Sequence, residues 1–149
     1  MEDVKKTIIE LFTDIAKIHG HNKSFGEIYA TIYLADKPLC IDDIVRELGM
    51  SKGNVSMNLN KLEDMGFIKK IWIKGDRKNY YQCAEGFSSY RDIVEKKYKV
   101  IINACDKLEK IYESSSEAEK KIISKKLKHV KQMKKISKKV LELLKDIED

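Results

Sequence analysis

The chain has 149 residues, a formal net charge of +6 and charged side chains at 36% of its positions. This length allows one domain with its own core and a remainder that needs further packing. The charge is uneven: residues 1–49 hold 6 basic and 9 acidic side chains, residues 50–83 hold 7 and 3, and residues 88–149 hold 17 and 11. We therefore expect an acidic partner, with nucleic acid ahead of a membrane surface.

The composition gives no sign of catalysis, metal binding or membrane insertion. Cys40, Cys83 and Cys105 are widely spaced, and the three histidines lack metal-ligand spacing. Reduced thiols are typical of a cytoplasmic protein. No apolar run approaches the roughly 20 residues of a membrane span, and the N-terminus lacks a signal-peptide layout. We expect a cytoplasmic protein that is not an enzyme and has no catalytic residues, no metal site, no cofactor and no membrane contact.

The first 35 residues predict two helices. Apolar side chains at three- and four-residue steps predict an amphipathic helix that ends at Gly20, with an apolar edge suited to a second chain. These positions are Val4, Ile8, Leu11, Ile15 and Ile18. Ser24, with Glu27 three residues later, predicts a capping box for a second helix that runs through Ala35.

A helix-turn-helix follows the chain's one proline. Pro38 predicts a break and a short extended segment over residues 38–41, able to pair with a later hairpin. A third helix is expected from Asp42 to Gly49, and Ser51 is expected to cap a fourth that Gly66 ends. A turn of three or four residues between two such helices is typical of helix-turn-helix proteins.

The helix at residues 51–65 has a narrow apolar stripe formed by Val55, Leu59 and Leu62. Its other face is lined by short polar side chains, with little bulk. These are Asn54, Ser56, Met57, Asn60 and Lys61. Asn and Ser are poorer helix formers than Glu or Lys, but they hydrogen-bond base edges and phosphates. The helix alone supports a solvated polar face and a DNA-reading face about equally.

A β-hairpin with a basic tip is predicted directly after this helix. β-branched and aromatic residues over 67–73 favour one strand, residues 74–79 a turn, and residues 80–83 the return strand. The tip holds Lys74, Arg77 and Lys78, which could reach a narrow minor groove or its flanking phosphates. A basic turn can also serve solubility alone, but its position beside the polar helix favours binding.

Two long helices separated by three serines are predicted in the last third. The first has apolar positions from Tyr90 to Tyr112. The second is expected to present one stripe with a mean step of roughly 3.4 residues, close to a coiled-coil seam. Its members are Ile123, Leu127, Val130, Met133, Ile136, Val140, Leu144 and Ile147. We expect an antiparallel pair that packs on the N-terminal helix and a second subunit, with its lysines solvated.

The order of these elements resembles the MarR-type winged-helix repressors. The stretches SKGNVSMNL, MGFIKKIWIKGDR and KNYYQC are similar to the GbsR branch of that superfamily. This resemblance covers residues 41–83 and implies a small dimeric transcriptional regulator, in some members tied to choline and glycine-betaine metabolism. It matches Asp76 and Arg77 to the wing-tip acid and base. Many MarR-type repressors carry arginine where this chain has Met57, whereas the GbsR-like pattern has methionine.

The predicted fold is mainly α with a small β-wing: a dimerisation helix at 1–20, a winged helix-turn-helix domain at 21–86 and helical dimerisation at 87–149. The predicted function is a homodimeric, sequence-specific double-stranded DNA-binding regulator, a repressor, with residues 51–65 in the major groove and 67–83 at the minor groove. The expected DNA contacts are Ser51, Lys52, Asn54, Ser56, Met57, Asn60, Lys61, Lys74, Asp76, Arg77 and Lys78.

Two alternatives stay open from the residues. The chain could instead be a helical protein-interaction module that uses the winged helix as a scaffold. A small-molecule effector is a further partner to consider, because aromatic rings can box a quaternary ammonium group, although aromatics at helical spacing are usually core. The candidate rings are Tyr29, Tyr33, Tyr90 and Tyr98. The sequence names neither operator nor regulated genes, and activation stays open beside the repression predicted above.

Overall fold

The computed structural model describes residues 1–86 and 88–147. Its elements, in chain order, are α1 (Glu2–Ile18), α2 (Lys23–Leu34), β1 (Leu39–Cys40), α3 (Ile41–Leu48), α4 (Lys52–Asp64), β2 (Ile68–Ile71), β3 (Tyr80–Cys83), α5 (Ser88–Glu113) and α6 (Glu117–Lys145). The predicted class, mainly α with a small β-wing, is confirmed.

The chain forms two compact units, Met1–Glu85 and Gly86–Asp149. The predicted boundary at Phe87 lies outside the described residues, and the predicted roles of the three regions stay predictions. Among the helices that the structure describes, none combines the length and the apolar character needed to cross a membrane.

In the first unit, α1 packs against α2 through a close approach at Gly26. A Cβ atom at Gly26 would lie 2.6 Å from both the carbonyl oxygen of Phe12 and the Cα of Thr13. Thr13 and Ala16 are the buried residues of α1. The apolar stripe predicted for α1 is largely not part of this contact with α2, because Val4, Leu11, Ile15 and Ile18 are exposed.

The predicted capping box of α2 is wrong. The helix begins at Lys23, and the side-chain oxygen of Asn22 accepts a hydrogen bond of 2.9 Å from the backbone N–H of Phe25. Asn and Ser cap helices about equally well, so the sequence offered two choices, Asn22 and Ser24, that lie two positions apart. Ser24 falls within the first turn, where its hydroxyl is available to another helix.

The core of the first unit is formed around α4. Val55, Leu59 and Leu62 are fully buried together with Ile28 of α2 and Ile44 of α3. The predicted apolar stripe of α4 is therefore confirmed. Because that stripe is the inward side of α4, the opposite side of the helix faces away from the core.

The wing is a three-stranded antiparallel sheet of order β1–β3–β2. Leu39 pairs with Tyr81, which confirms the predicted pairing of the short segment after Pro38 with the hairpin. The first hairpin strand ends at Ile71, opposite Tyr80, and so is shorter than predicted. Beyond that pair β3 offers no further partner, and Trp72 and Ile73 lie exposed in the connecting loop.

The second unit is an antiparallel hairpin of α5 and α6, as predicted. Near one end the Arg91 guanidinium donates to the carbonyl oxygen of Leu144, at 2.9 and 3.1 Å. Further along, the ammonium of Lys131 lies 3.5 Å from the Glu109 carboxylate. The Ser116 hydroxyl caps α6 by accepting from the backbone N–H of Glu119 at 3.3 Å.

The single stripe predicted for α6 is wrong, because the helix carries two rows of side chains. The less exposed row, called the inner row, is Ile123, Leu127, Val130, Lys134, Ser137, Leu141 and Leu144. The more exposed row, called the outer row, is Met133, Ile136, Val140 and Leu143, and Ile147 follows at the next step just beyond the end of the helix. The rows lie one residue apart, about 100° around the helix. Lys134 and Ser137 interrupt the inner row, so the apolar pattern in the sequence crosses to the outer row between Val130 and Met133.

The contact at Gly26 predicts the effect of a single methyl group. Gly26→Ala should lower the free energy of unfolding by about 1–3 kcal/mol, because the new Cβ meets the backbone of α1. Gly53→Ala is the matched control. Gly53 is also helical, a Cβ there would meet nothing within 4 Å in the part of the chain that the structure describes, and the substitution should raise stability by up to about 1 kcal/mol. Urea unfolding followed by circular dichroism measures both, and equal midpoints would contradict the packing described.

Candidate nucleic-acid interface

The helix-turn-helix is formed by α3, a three-residue turn and α4. Gly49 takes a left-handed conformation with φ of +65°, and its N–H donates to the carbonyl of Val45 at 2.8 Å. Ser51 then caps α4 by accepting from the backbone N–H of Asn54 at 3.1 Å. Both features follow from local chemistry and were predicted, whereas α3 begins at Ile41, one residue earlier than expected.

The outward side of α4 exposes part of the predicted contact set. Lys52, Met57, Asn60 and Lys61 are exposed, and Ser56 is half-buried. Their side chains leave a shallow face with two amines, an amide and a thioether. Such groups suit phosphate oxygens, base edges and the thymine methyl group, respectively. Their roles as DNA contacts stay predictions.

Asn54 differs from the rest of the predicted set because its side chain is already hydrogen-bonded within the protein. Its amide nitrogen donates to the Ser24 hydroxyl at 3.2 Å, and its side-chain oxygen accepts from Asn58 at 3.0 Å. Asn58 is fully buried, and the sequence reasoning missed it. The available signal was its spacing: Asn58 follows Asn54 by one helical turn and sits between Val55 and Leu62 on the apolar side.

Asp76 organises the tip of the wing. Its backbone N–H donates to the carbonyl of Ile73 at 3.0 Å, and its carboxylate accepts from the backbone N–H of Lys78 at 2.9 Å. The other carboxylate oxygen accepts from the Tyr80 hydroxyl at 2.6 Å. Gly75, with φ of +84°, permits the turn. Asp76 therefore shapes the loop that carries the exposed basic residues Lys74, Arg77 and Lys78.

The bond between Asp76 and Tyr80 shifts both acid–base equilibria. The Tyr80 hydroxyl, followed by the backbone N–H of Lys78, stabilises the carboxylate and lowers the pKa of Asp76. The same hydrogen bond raises the pKa of Tyr80 to about 12. Sequence reasoning missed Tyr80. Its signal was the Asp-x-x-x-Tyr spacing across a predicted turn, which places an acceptor and a donor on facing sides of the hairpin.

One carboxylate on α3 lies between the two proposed binding elements. Asp42 places one oxygen 3.9 Å from the Lys52 ammonium at the start of α4 and the other 3.9 Å from the Lys78 ammonium in the wing. All three side chains are more than half exposed, so these ion pairs contribute little to stability. They do show that the start of α4 and the wing tip are neighbours.

The tyrosines considered for an effector belong to different surroundings. Tyr29 stacks on Phe12 at a ring-centroid distance of 4.7 Å, and Tyr33 meets the same ring edge-on at 5.1 Å. Burial, together with the neighbouring Cys83 thiol, raises the pKa of Tyr29. Tyr90 and Tyr98 lie on α5 in the other unit. The effector stays a prediction. Across residues 1–86 and 88–147, no group of three His, Cys, Asp or Glu side chains could hold a metal ion.

Fold and site together define a winged helix-turn-helix protein. The family model described as "Bacterial regulatory protein, arsR family" matches residues 31–70, which span the end of α2, the helix-turn-helix and the start of the wing. A crystal structure of a transcriptional regulator superposes with a TM-score of 0.74 at 14% identity, covering 95% of this chain and 93% of that one. This likeness shows the fold.

The sequence relatives are regulators of Bacillus subtilis (strain 168). The chain is 28% identical over 90 residues to the HTH-type transcriptional repressor GbsR, covering 60% of this chain and 49% of that protein. It is 24% identical over 87 residues to the HTH-type transcriptional repressor OpcR, covering 58% and 47%. The chain thus spans about half the length of the curated relatives it matches. The predicted resemblance to GbsR-type winged-helix regulators is confirmed.

The Asp76–Tyr80 bond predicts a measurable titration shift. Tyr80→Phe removes the largest cause of the lowered Asp76 pKa, so that pKa should rise toward its ordinary value of 3.8. In the wild type, the stabilisation from this depressed pKa is present above the unfolded value and is lost as pH falls through the folded value. Carboxyl NMR titration measures the shift, with Tyr81→Phe as the control. An unchanged Asp76 pKa in Tyr80→Phe would contradict the hydrogen bond.

Proposed function

We propose that this chain is a homodimeric, sequence-specific double-stranded DNA-binding transcriptional regulator that acts as a repressor in the cytoplasm. In this proposal α4 enters the major groove and the wing, residues 67–83, reaches the adjacent minor groove. The observation that carries it is the shared Asp42 carboxylate, because it places the basic start of α4 and the basic wing tip on one surface. The relatives named as repressors support the regulatory role.

The proposed contacts divide by chemistry. Ser51 and Lys52 lie at the N-terminus of α4, where the helix dipole and free N–H groups favour phosphate. Asn60 offers an amide that suits adenine, and Met57 offers an apolar contact that suits the thymine methyl. Ser56 and Lys61 complete the α4 face. In the wing, Arg77 is proposed for the minor groove, with Lys74 and Lys78 on phosphates and Asp76 holding the loop.

Duplex binding tests the wing assignment. Arg77→Ala should weaken binding about tenfold and should reduce the slope of log affinity against log salt by about one, because one cation no longer displaces counterions. Arg46→Ala is the charge-matched control, since it removes the same charge from an exposed arginine that pairs with Asp43 on α3. Fluorescence anisotropy at several salt concentrations measures both. Equal affinities for Arg77→Ala and wild type would contradict the wing contact.

The dimer is supported by apolar side chains that each unit leaves exposed. In the second unit Ile136 and Leu143 are 63% and 66% exposed, and they belong to the outer row of α6. In the first unit four of the five residues of the α1 stripe, Val4, Leu11, Ile15 and Ile18, are likewise exposed. Apolar residues at alternating three- and four-residue steps are the pattern of helices that pair with other helices. A second copy would bury these rows and present two α4 helices about 34 Å apart.

The oligomeric state tests this surface. Replacing both Ile136 and Leu143 with Glu should convert a dimer to a monomer, because two charges would enter an apolar contact. Val100→Glu is the matched control, since Val100 of α5 is 68% exposed and lies outside both rows of α6. Light scattering coupled to size-exclusion chromatography gives the mass. A dimeric double variant would place the interface elsewhere.

The alternative, a protein-interaction module built on a winged-helix scaffold, predicts the opposite result for the binding of nucleic acid. It expects no binding of random duplex DNA at low salt, whereas the basic surface proposed above expects weak, salt-sensitive binding there. The same anisotropy measurement on the wild-type chain therefore separates the two functions.

A further inference from the structure

A fully buried asparagine lies on the inward side of α4. Asn58 has 0% exposure among the apolar residues of the first unit's core. Its side-chain nitrogen donates to the backbone carbonyl of Asn54 and to the side-chain oxygen of Asn54, both at 3.0 Å. Its own side-chain oxygen has no hydrogen-bond partner among residues 1–86 and 88–147. A buried acceptor without a partner destabilises a fold, so this asparagine requires an explanation other than stability.

The hydrogen bonds continue from Asn58 to another helix. Asn54 donates from its side-chain nitrogen to the Ser24 hydroxyl at 3.2 Å, and Ser24 lies in the first turn of α2. The chain of contacts therefore runs from the hydroxyl of α2, through the half-buried amide of Asn54, to the core side of α4. We refer to Ser24, Asn54 and Asn58 as the amide relay.

The amide relay supplies a directional contact between α2 and α4, which their apolar contacts do not provide. Contacts among Ile28, Val55 and Leu59 are non-directional, and apolar surfaces can repack after a small rotation of a helix. Hydrogen bonds weaken steeply once distance and angle depart from their narrow ranges. A directional link on one side of α4 therefore selects one rotation of the helix about its axis. Leucine has as many side-chain heavy atoms as asparagine, so an apolar side chain of similar length would avoid the unpaired oxygen.

We propose that the amide relay is a positioning device that fixes the rotation of α4 and thereby the direction of its outward side chains. The proposal rests on the DNA-binding function proposed above and deepens it. A rotation of about 20° moves atoms at the helix surface, about 5–6 Å from the axis, by roughly 2 Å. That displacement is enough to break a hydrogen bond to a base edge. Ser56, Met57 and Asn60 therefore depend on a residue that cannot itself touch DNA.

This proposal gives Asn54 a different role from the one predicted from sequence. A base-reading Asn54 would specify one base-pair position within each half-site. A positioning Asn54 acts through the whole outward face of α4, so its loss weakens discrimination at every base position that this face contacts. The two roles therefore predict different changes in the set of DNA sequences that the protein selects.

The experiment begins with the wild-type chain and a binding site selected from random duplex DNA. Asn58→Leu should then lose about tenfold in affinity for the selected site. Its affinity for random duplex and its salt slope should stay unchanged, because no phosphate contact is removed. Its thermal midpoint should be equal to or above that of the wild type. Loss of specific affinity without loss of stability is a result that a purely structural role would not give.

A matched pair of variants at Ser24 tests the other end of the amide relay. Ser24→Ala removes the hydroxyl and should weaken specific binding, whereas Ser24→Thr keeps the hydroxyl and should retain it. Combining Ser24→Ala with Asn58→Leu should cost little more than Asn58→Leu alone, because both act through Asn54. If Asn58→Leu does not fold, this Ser24 pair decides the matter.

Three results would overturn the inference. One is a folded Asn58→Leu variant with wild-type specific affinity. The second is equal specific binding by Ser24→Ala and Ser24→Thr. The third is a selection change for Asn54→Ala confined to one base pair per half-site, which would show direct reading. A wild-type chain that binds duplex DNA but selects no sequence overturns the proposed specificity itself, and the inference with it, so the two failures are distinguishable.

Discussion

The structure of the first unit depends on the complete burial of one apolar stripe. Val55, Leu59 and Leu62 all lie in the core, and together they occupy one side of α4. Because that side is buried, the opposite side of this short helix faces away from the core. Gly66 then turns the chain directly into β2, so the wing must form beside α4. The exposure of the outward side of α4 and the position of the wing thus share one cause, which is hydrophobic burial.

Much of this could be predicted because the deciding chemistry is local. Gly49 supplies the left-handed turn, Ser51 supplies the cap, and the 3.6-residue period of α4 marks its inward side. Asn58 could not be predicted in the same way, since a polar residue at a buried position gives no apolar signal. Its hydrogen-bond partner Asn54 in turn contacts Ser24, thirty positions earlier, and contacts of that range are set by the fold.

The two rows of α6 show a different limit of sequence reasoning. Periodicity identified a long helix correctly, but it could not tell which apolar residues share a face once Lys134 and Ser137 interrupt the inner row. The apolar positions chosen from the sequence kept a mean step near 3.5 residues only because they cross from one row to the other. The choice of cap for α2 failed for a related reason, because Asn22 and Ser24 are chemically equivalent candidates until the packing of α4 engages Ser24.

The position of Asp42 has a consequence for how the lysines are held before any duplex arrives. Two ammonium groups that approach the same region repel each other, and long side chains otherwise spread apart into solvent. The carboxylate between Lys52 and Lys78 offsets part of that repulsion through two exposed ion pairs of 3.9 Å. Any phosphate that approached these two amines would meet the Asp42 carboxylate as well, and like charges repel. The side chain that reduces the repulsion between the two lysines would thus also compete with a phosphate for them.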